Sequence, residues 1–468
     1  MRFQRWMSHS RFVVNRTVLI GVCFVLLAGA CGQTAQPDSI AGGSTQPTGT
    51  VAPAATNPSD QPIPTAALLA EISADRPRVE PSAAGTAQMA ELAAGVNRFA
   101  LDLYHAVDEQ GDGNLIYSPS SIALAFSMVY AGARGETEAQ MATVLGFLPQ
   151  ESHHPAANAL ERYLTTLGSG APAAGEGQGE AFRLNIANAV WGQRGLPFED
   201  AYLQALAAHY GAGVRTADFA ANPEGSRQAV NAWVTDRTAG RIEDALPPGA
   251  IDPLTRLVLA NAIYFKAAWL FPFEADATVD GPFTLLDGSQ VTVPLMRRGT
   301  ARMPYAGGDG YQSVVLPYVG DSVEMVVIVP QAGRFEEIDA GLSAGFLTRV
   351  RATSETRDVT LTMPRFAFES DLDLASLLSD MGMPAPFGPA DFSGISRDAD
   401  LSISAALHRA TIAVDEQGTE ATAATAIAMP TSAMQTAQLT IDRPFIFAIV
   451  ERETGAILFL GRVTDPAA

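Results

Sequence analysis

VDEQGTEATAATAIAMPTSAMQTAQLTIDRP, Val414 to Pro444, is the stretch on which the reading of this chain turns. After Glu420 it holds no charged residue until Asp442. It has neither a helical apolar face nor strict alternation. Ala, Thr and Met dominate it, between a strand-like run (Ala410–Val414) and a strongly strand-like one (Phe445–Val450). Structureless loops longer than about 12–15 residues are uncommon in compact domains and are usually functional or disordered. This one is too apolar for a solubilising linker and too poor in bulk for a core. Small and β-branched side chains suit a strand that is kept out of a sheet until something admits it.

The 468 residues are 47% hydrophobic, enough for a sizeable core. A formal charge of −20 argues against a nucleic-acid partner, because phosphate binding needs clustered Lys and Arg. Only Cys23 and Cys31 carry thiols, both near the N-terminus. The remainder can form no internal disulfide, thiolate metal site or cysteine nucleophile.

Residues 1–31 have the pattern of an export signal. Arg2, Arg5, Arg11 and Arg16 precede the apolar run Val18–Ala30, too short for the ~20 residues of a spanning helix. Leu27-Ala-Gly-Ala-Cys31 is similar to a bacterial lipoprotein processing site with Cys31 as the lipidated residue, although Leu stands one step early. Ordinary cleavage and an uncleaved anchor are the alternatives. Residues 32–85 are rich in Pro, Thr, Ser, Gly and Ala and read as a flexible tether. Within it, Ala66–Ile72 could form a short helix, with nothing after it to pack against.

From Gln88 the texture changes. Helical periodicity marks Met89–Val107, Ser120–Ala131, Glu136–Leu145, Ala157–Leu167, Pro197–Tyr210 and Pro223–Thr238, with His153, His154 and Pro155 separating the third from the fourth. Phe182–Trp191 is a strand. Short β-branched runs follow at Leu257–Phe265, Gly281–Leu285, Val291–Met296, Ala301–Tyr305, Gln312–Pro317, Val323–Val329, Asp358–Met363 and Ala367–Phe368. After a short helix at Leu372–Met381 come Ile412–Val414, the loop and a closing pair, PFIFAIV and AILFLGRV. Helices first and strands later predict an α+β architecture with large antiparallel sheets.

Several chemistries are excluded. There is no HExxH and no P-loop. Gly341-Leu-Ser-Ala-Gly345 matches GxSxG, but the motif needs a strand running into the serine. Gln331–Ala340 is polar and helix-like, so Ser343 reads as part of a surface helical turn. Asp108-Glu-Gln-Gly-Asp-Gly113 begins like a calcium loop, yet its twelfth position is Pro119 rather than a bidentate Glu. No metal site and no cofactor are expected.

Four stretches resemble the serpins, the large conformational protease inhibitors, across about Gln88 to Pro466. Asn114-Leu-Ile-Tyr-Ser-Pro-Ser-Ser-Ile122 resembles the start of the family's second helix. Leu259-Ala-Asn-Ala-Ile-Tyr-Phe-Lys-Ala-Ala-Trp269 with Pro272-Phe273 resembles its central-strand segment. Glu416-Gln-Gly-Thr-Glu-Ala421 is similar to its hinge, and Leu439–Ile449 with Leu458-Phe-Leu-Gly-Arg462 to its closing signature.

The resemblance implies three β-sheets, the main one five-stranded, with about nine helices and an exposed reactive-centre loop. It implies that a target serine protease attacks the loop, forms an acyl-enzyme, and is trapped when the cut loop enters the main sheet as a strand. It assigns the hinge to Glu416, Gly418, Thr419, Glu420, Ala421 and Ala423. Alternation would turn Thr419, Ala421, Ala423 and Thr425 inward, all small. The family's usual spacing from Glu416 puts the cut between Ser432 and Ala433, with Thr431 or Ala433 as alternative sites of attack. Small residues there favour elastase-like or subtilisin-like targets. Ser118, Ser121, Asn261 and His408 match the polar cluster that governs sheet opening, and Trp269 the top of the main sheet. The segment between Gln150 and Glu180 lacks the basic helix that some relatives use for glycosaminoglycans, so no heparin-type cofactor is expected. The expected molecule is an exported monomer, extracellular or held at the outer face of the membrane through Cys31. Alternatives are a non-inhibitory binding or storage member, or an inhibitor of cysteine proteases.

Overall fold

A computed structural model describes residues 70–108, 111–167, 182–419 and 436–468. The leader with Cys31, the tether up to residue 69, the hinge residues Glu420, Ala421 and Ala423, and Thr431, Ser432 and Ala433 lie outside the described residues. Among those described there are nine α-helices and sixteen strands, so the mixed architecture is as expected.

The main sheet contains β1 (Ala70–Ile72), β3 (Phe182–Gln193), β4 (Val214–Ala217), β5 (Leu257–Ala268), β11 (Phe366–Asp373), β12 (Ile403–Val414) and β13 (Gly418–Thr419). Its order is β1-β4-β3-β5-β13-β12-β11. Without the very short β1 and β13 it is the five-stranded sheet implied by the resemblance. The other strands are β2 (Leu115–Tyr117), β6 (Glu274–Thr284), β7 (Gln290–Gly308), β8 (Tyr311–Pro317), β9 (Val323–Pro330), β10 (Glu355–Pro364), β14 (Ala437–Thr440), β15 (Phe445–Glu451) and β16 (Ile457–Val463). The two expected further sheets are fused along β7. Its first half pairs with β6 and its far end with β8, while β10 runs beside both. Every residue of β15 and β16 is buried, which explains why their sequences do not alternate.

Sequence readings fail at three places. Residues 70–85 are not tether: β1 is a strand rather than the end of a helix at Ala66–Ile72, and the helix Ala83–Asp108 follows closely. An edge acceptor remote in sequence, β4, decides the conformation there. His153, His154 and Pro155 do not divide two helices, since Gln150–Thr166 runs through them. Val291–Met296 and Ala301–Tyr305 are one strand, bent where β10 is irregular between Val359 and Leu361. Ser343 caps the helix Ala344–Thr353, accepting from Phe346 N–H at 3.2 Å, and has no strand before it.

Candidate functional site

The seam of the main sheet lies between β5 and β12. These strands run parallel and pair from Leu257 to Ala262 against Ile403 to Arg409. Beyond that point the pairing of β5 with β12 stops. At the far end β12 turns back on itself and β13 enters between them, antiparallel to both. Thr419 stands opposite Val414 on one side and Ala267 on the other, and Gly418 opposite Ala268. Two antiparallel contacts thus replace one parallel contact, and the parallel ladder is the weaker per residue.

Local chemistry builds this turn. The Asp415 carboxylate accepts from the N–H groups of Gln417 (2.8 Å) and Gly418 (3.2 Å), and Asp415 N–H donates to Gly418 O. Such side-chain-to-backbone bonds are what Asp contributes at turns. Gly418 is required sterically: a Cβ there would lie 2.1 Å from Ala267 O. Gly418→Val is therefore expected to push β13 out of the seam. Limited proteolysis should then cut between Asp415 and Thr419, and resistance equal to wild type would contradict this.

Trp269 holds the turn from the β5 side. Its backbone N–H donates to Gln417 O at 2.8 Å and its indole N–H to Asp415 O at 3.1 Å. The ring stacks on Tyr318 at 4.5 Å. Tyr318 Oη lies 2.8 Å from Thr419 Oγ1, so Thr419 points into the core and is 2% exposed. Burial pushes the Tyr318 hydroxyl far above its ordinary pKa, so it stays protonated and bonded. Glu416 is buried at the tip, and Phe273 N–H donates to its carbonyl. Burial alone would raise its carboxyl, but hydrogen bonds from Thr278 and Arg365 outweigh that and hold it below the ordinary value.

Lower in the seam the structure brings Ser118, Ser121, Asn261 and His408 together. His408 and Asn261 are register partners across β12 and β5. Ser118 N–H donates to His408 Nε2 at 3.0 Å, so the imidazole proton is on Nδ1 and goes to Asn261 Oδ1. The Asn261 amide donates to Ser121 Oγ (2.7 Å) and Ser121 O (2.9 Å). Ser118 Oγ caps the helix Pro119–Tyr130 through Ser121 N–H. Burial holds His408 down at about 3, which keeps it neutral. The latch ties both sides of the seam to one helix N-terminus.

Asn188 belongs to this cluster and was not singled out. It sits opposite Asn261 in β3, and its Oδ1 accepts from the Asn261 amide at 2.6 Å. A lone amide inside the apolar run Ile186–Trp191 was the available signal. Among the described residues no group of His, Cys, Asp or Glu is arranged to hold a metal ion.

Residues 94–466 match the serpin (serine protease inhibitor) family. An uncharacterized serpin-like protein of Thermococcus kodakarensis is 36% identical over 97% of this chain and 99% of its own length. Leukocyte elastase inhibitor of Sus scrofa is 35% identical over 81% of this chain and its full length. Among solved structures, human thyroxine-binding globulin complexed with thyroxine aligns with a TM-score of 0.70 at 27% identity, covering 81% of this chain and 99% of that one. Uncleaved ovalbumin gives a TM-score of 0.70 at 26% identity, covering 80% and 100%. The match takes in the seam, its latch and both anchors of the loop, in relatives of nearly the same domain length. On these grounds the chain belongs to the serpin family.

Proposed function

We propose that this chain inhibits serine proteases as a suicide substrate: a protease cuts the loop after Ser432, and the released segment enters the seam as a strand before the acyl-enzyme can hydrolyse. The observation that carries this reading is β13, a two-residue start of that strand already seated between β5 and β12. Extending its register by six residues sets Thr425 opposite Asn261 on β5 and His408 on β12. Insertion would therefore replace the latch by a small polar side chain. About 14 residues at ~3.3 Å each would span roughly 46 Å. At a net ~0.5–1.5 kcal/mol per new hydrogen bond, on the order of 10 kcal/mol is available to deform the protease.

Small residues at Thr431, Ser432 and Ala433 suit a shallow primary pocket, and the relative named leukocyte elastase inhibitor supports an elastase-like target. The same reading puts the domain outside the cell, exported by residues 1–31 and held by a lipid on Cys31. Incubation with elastase-, subtilisin- and trypsin-like enzymes tests it. We expect a gel-stable 1:1 adduct with the first two and release of a peptide beginning at Ala433. Complete loop cleavage without adduct would overturn inhibition and leave a binding or storage role.

A further inference from the structure

The family match begins at residue 94, yet residues 70–82 are built into the fold. β1 pairs antiparallel with β4, the outer strand of the main sheet, Ala70 opposite Thr216 and Ile72 opposite Val214. Glu71 fastens this end: its carboxylate pairs with Arg215 at 2.9 Å and accepts from Gly213 N–H at 3.2 Å. Gly213 must be glycine, because a Cβ would lie 2.4 Å from Ile72 O.

The other end is fastened to two helices: Val79 N–H donates to Ala208 O at 2.9 Å on the helix Asp200–Tyr210, and the remaining bonds reach a second helix. Arg78 donates to Asn158 Oδ1 at 2.8 Å and to Glu161 at 2.9 Å, both on the helix Gln150–Thr166. The Asn158 amide donates back to Val79 O at 3.1 Å, and Arg162 pairs with Glu80 at 2.6 Å. That helix is held to the second sheet, since Tyr163 Oη lies 2.9 Å from a carboxylate oxygen of each of Glu451 and Glu453 at the β15–β16 turn, which share its one proton. One short segment thus bridges the outer edge of the main sheet and a helix anchored to a different sheet.

Admitting a strand at the seam widens the main sheet by one strand spacing, about 4.8 Å. β5, β3 and β4 would have to move away from β12 by that distance, whereas the helix Gln150–Thr166 is held through Tyr163 to the β15–β16 turn as well as through His154 to Tyr210. Hydrogen bonds do not survive a displacement of that size. We propose that residues 70–82 form a strap that holds the main sheet at its unexpanded width and so slows loop insertion. The strap rests on the insertion reading given above.

The test uses the full chain carrying Glu71→Ala with Arg78→Ala, which removes the side-chain ion pair at each attachment. On incubation below the melting temperature, intact protein is assayed for conversion to a form whose loop resists protease. The variant is expected to convert about tenfold faster, the effect of losing two part-buried ion pairs. Its intact form should melt lower than wild type while its loop-cut form changes less. Glu71→Ala alone gives the same direction with a smaller change and serves if the double variant folds poorly. Conversion at the wild-type rate, in a wild-type chain whose cut form melts higher than its intact form, overturns the strap alone. A wild-type cut form that melts no higher than the intact one overturns both the strap and the insertion reading.

Discussion

Thr419→Arg is expected to abolish the gel-stable protease complex while leaving the loop fully cleavable. Thr419 is the first inward-facing side chain of the strand that would form, 2% exposed and bonded to Tyr318. Tyr318 is itself held by rings on two sides, stacked on Trp269 and met edge-on by Phe265 at 5.2 Å. Among the described residues no carboxylate bonds the Thr419 side chain. An arginine there must either bury an unpaired guanidinium, at a cost of several kcal/mol, or keep the strand out of the seam. Either way insertion loses its race with hydrolysis of the acyl-enzyme. The number of inhibitor molecules consumed per protease inactivated should rise more than about tenfold, since ~1.4 kcal/mol on the competing step already gives that factor. Thr419→Ser keeps the hydroxyl contact to Tyr318 and should inhibit as wild type. A Thr419→Arg protein that still traps protease covalently at a 1:1 ratio would rule out inward insertion at this position.

What could be read from the sequence followed local pattern, and what was missed depended on distant partners. β15 and β16 were legible as continuous apolar runs, and the helix Pro119–Tyr130 from its Ser-Pro start. β12 was visible only from Ala410 onward. Its lower half alternates poorly because His408 serves the latch and Arg409 forms an ion pair with Asp371 on β11. β7 read as two strands because Arg297-Arg298-Gly299-Thr300 interrupts the pattern where one strand bends between two sheets. The fate of residues 70–82 was illegible, since composition favours a tether and its partners, β4 and the helices Gln150–Thr166 and Asp200–Tyr210, lie far along the chain. Of the latch, the resemblance supplied four members, and Asn188 emerged only when the register of β3 on β5 was known.

Acid is expected to destabilise the resting molecule well above the pH at which carboxylates titrate. Four of the six histidines have depressed pKa values: His153, His154, His209 and His408. Burial is the largest cause in each, and the charged groups nearby, Arg134 beside His154 and Arg76 and Arg78 beside His209, are cations that push the same way. Hydrogen bonding explains why a second proton is not tolerated. Ser127 Oγ gives its proton to Ala123 O, so His153 donates through Nε2, and among the described residues its buried Nδ1 has no partner. His154 Nδ1 lies 2.7 Å from Tyr210 Oη, and its Nε2 is likewise buried and unpartnered among the described residues. A proton on His408 Nε2 would face the Ser118 N–H and break the latch. Because these folded-state pKa values lie below the unfolded value near 6.5, the stability they confer is complete above that value and is lost as pH falls below it. With His154 and His408 both at about 3, their combined loss at pH 5 is about 4 kcal/mol, a large part of a typical domain's stability. Asp339, Asp415 and Glu161, whose carboxyls burial raises, oppose this trend, whereas Glu416 adds to it only below the ordinary carboxylate range. The melting temperature at constant ionic strength should therefore fall steeply between pH 6.5 and 5, and His154→Phe should flatten part of that fall. A melting temperature that stays level from pH 7.5 to 5 would mean the buried imidazoles are not held neutral, and the latch could not be the neutral donor–acceptor relay that its geometry requires.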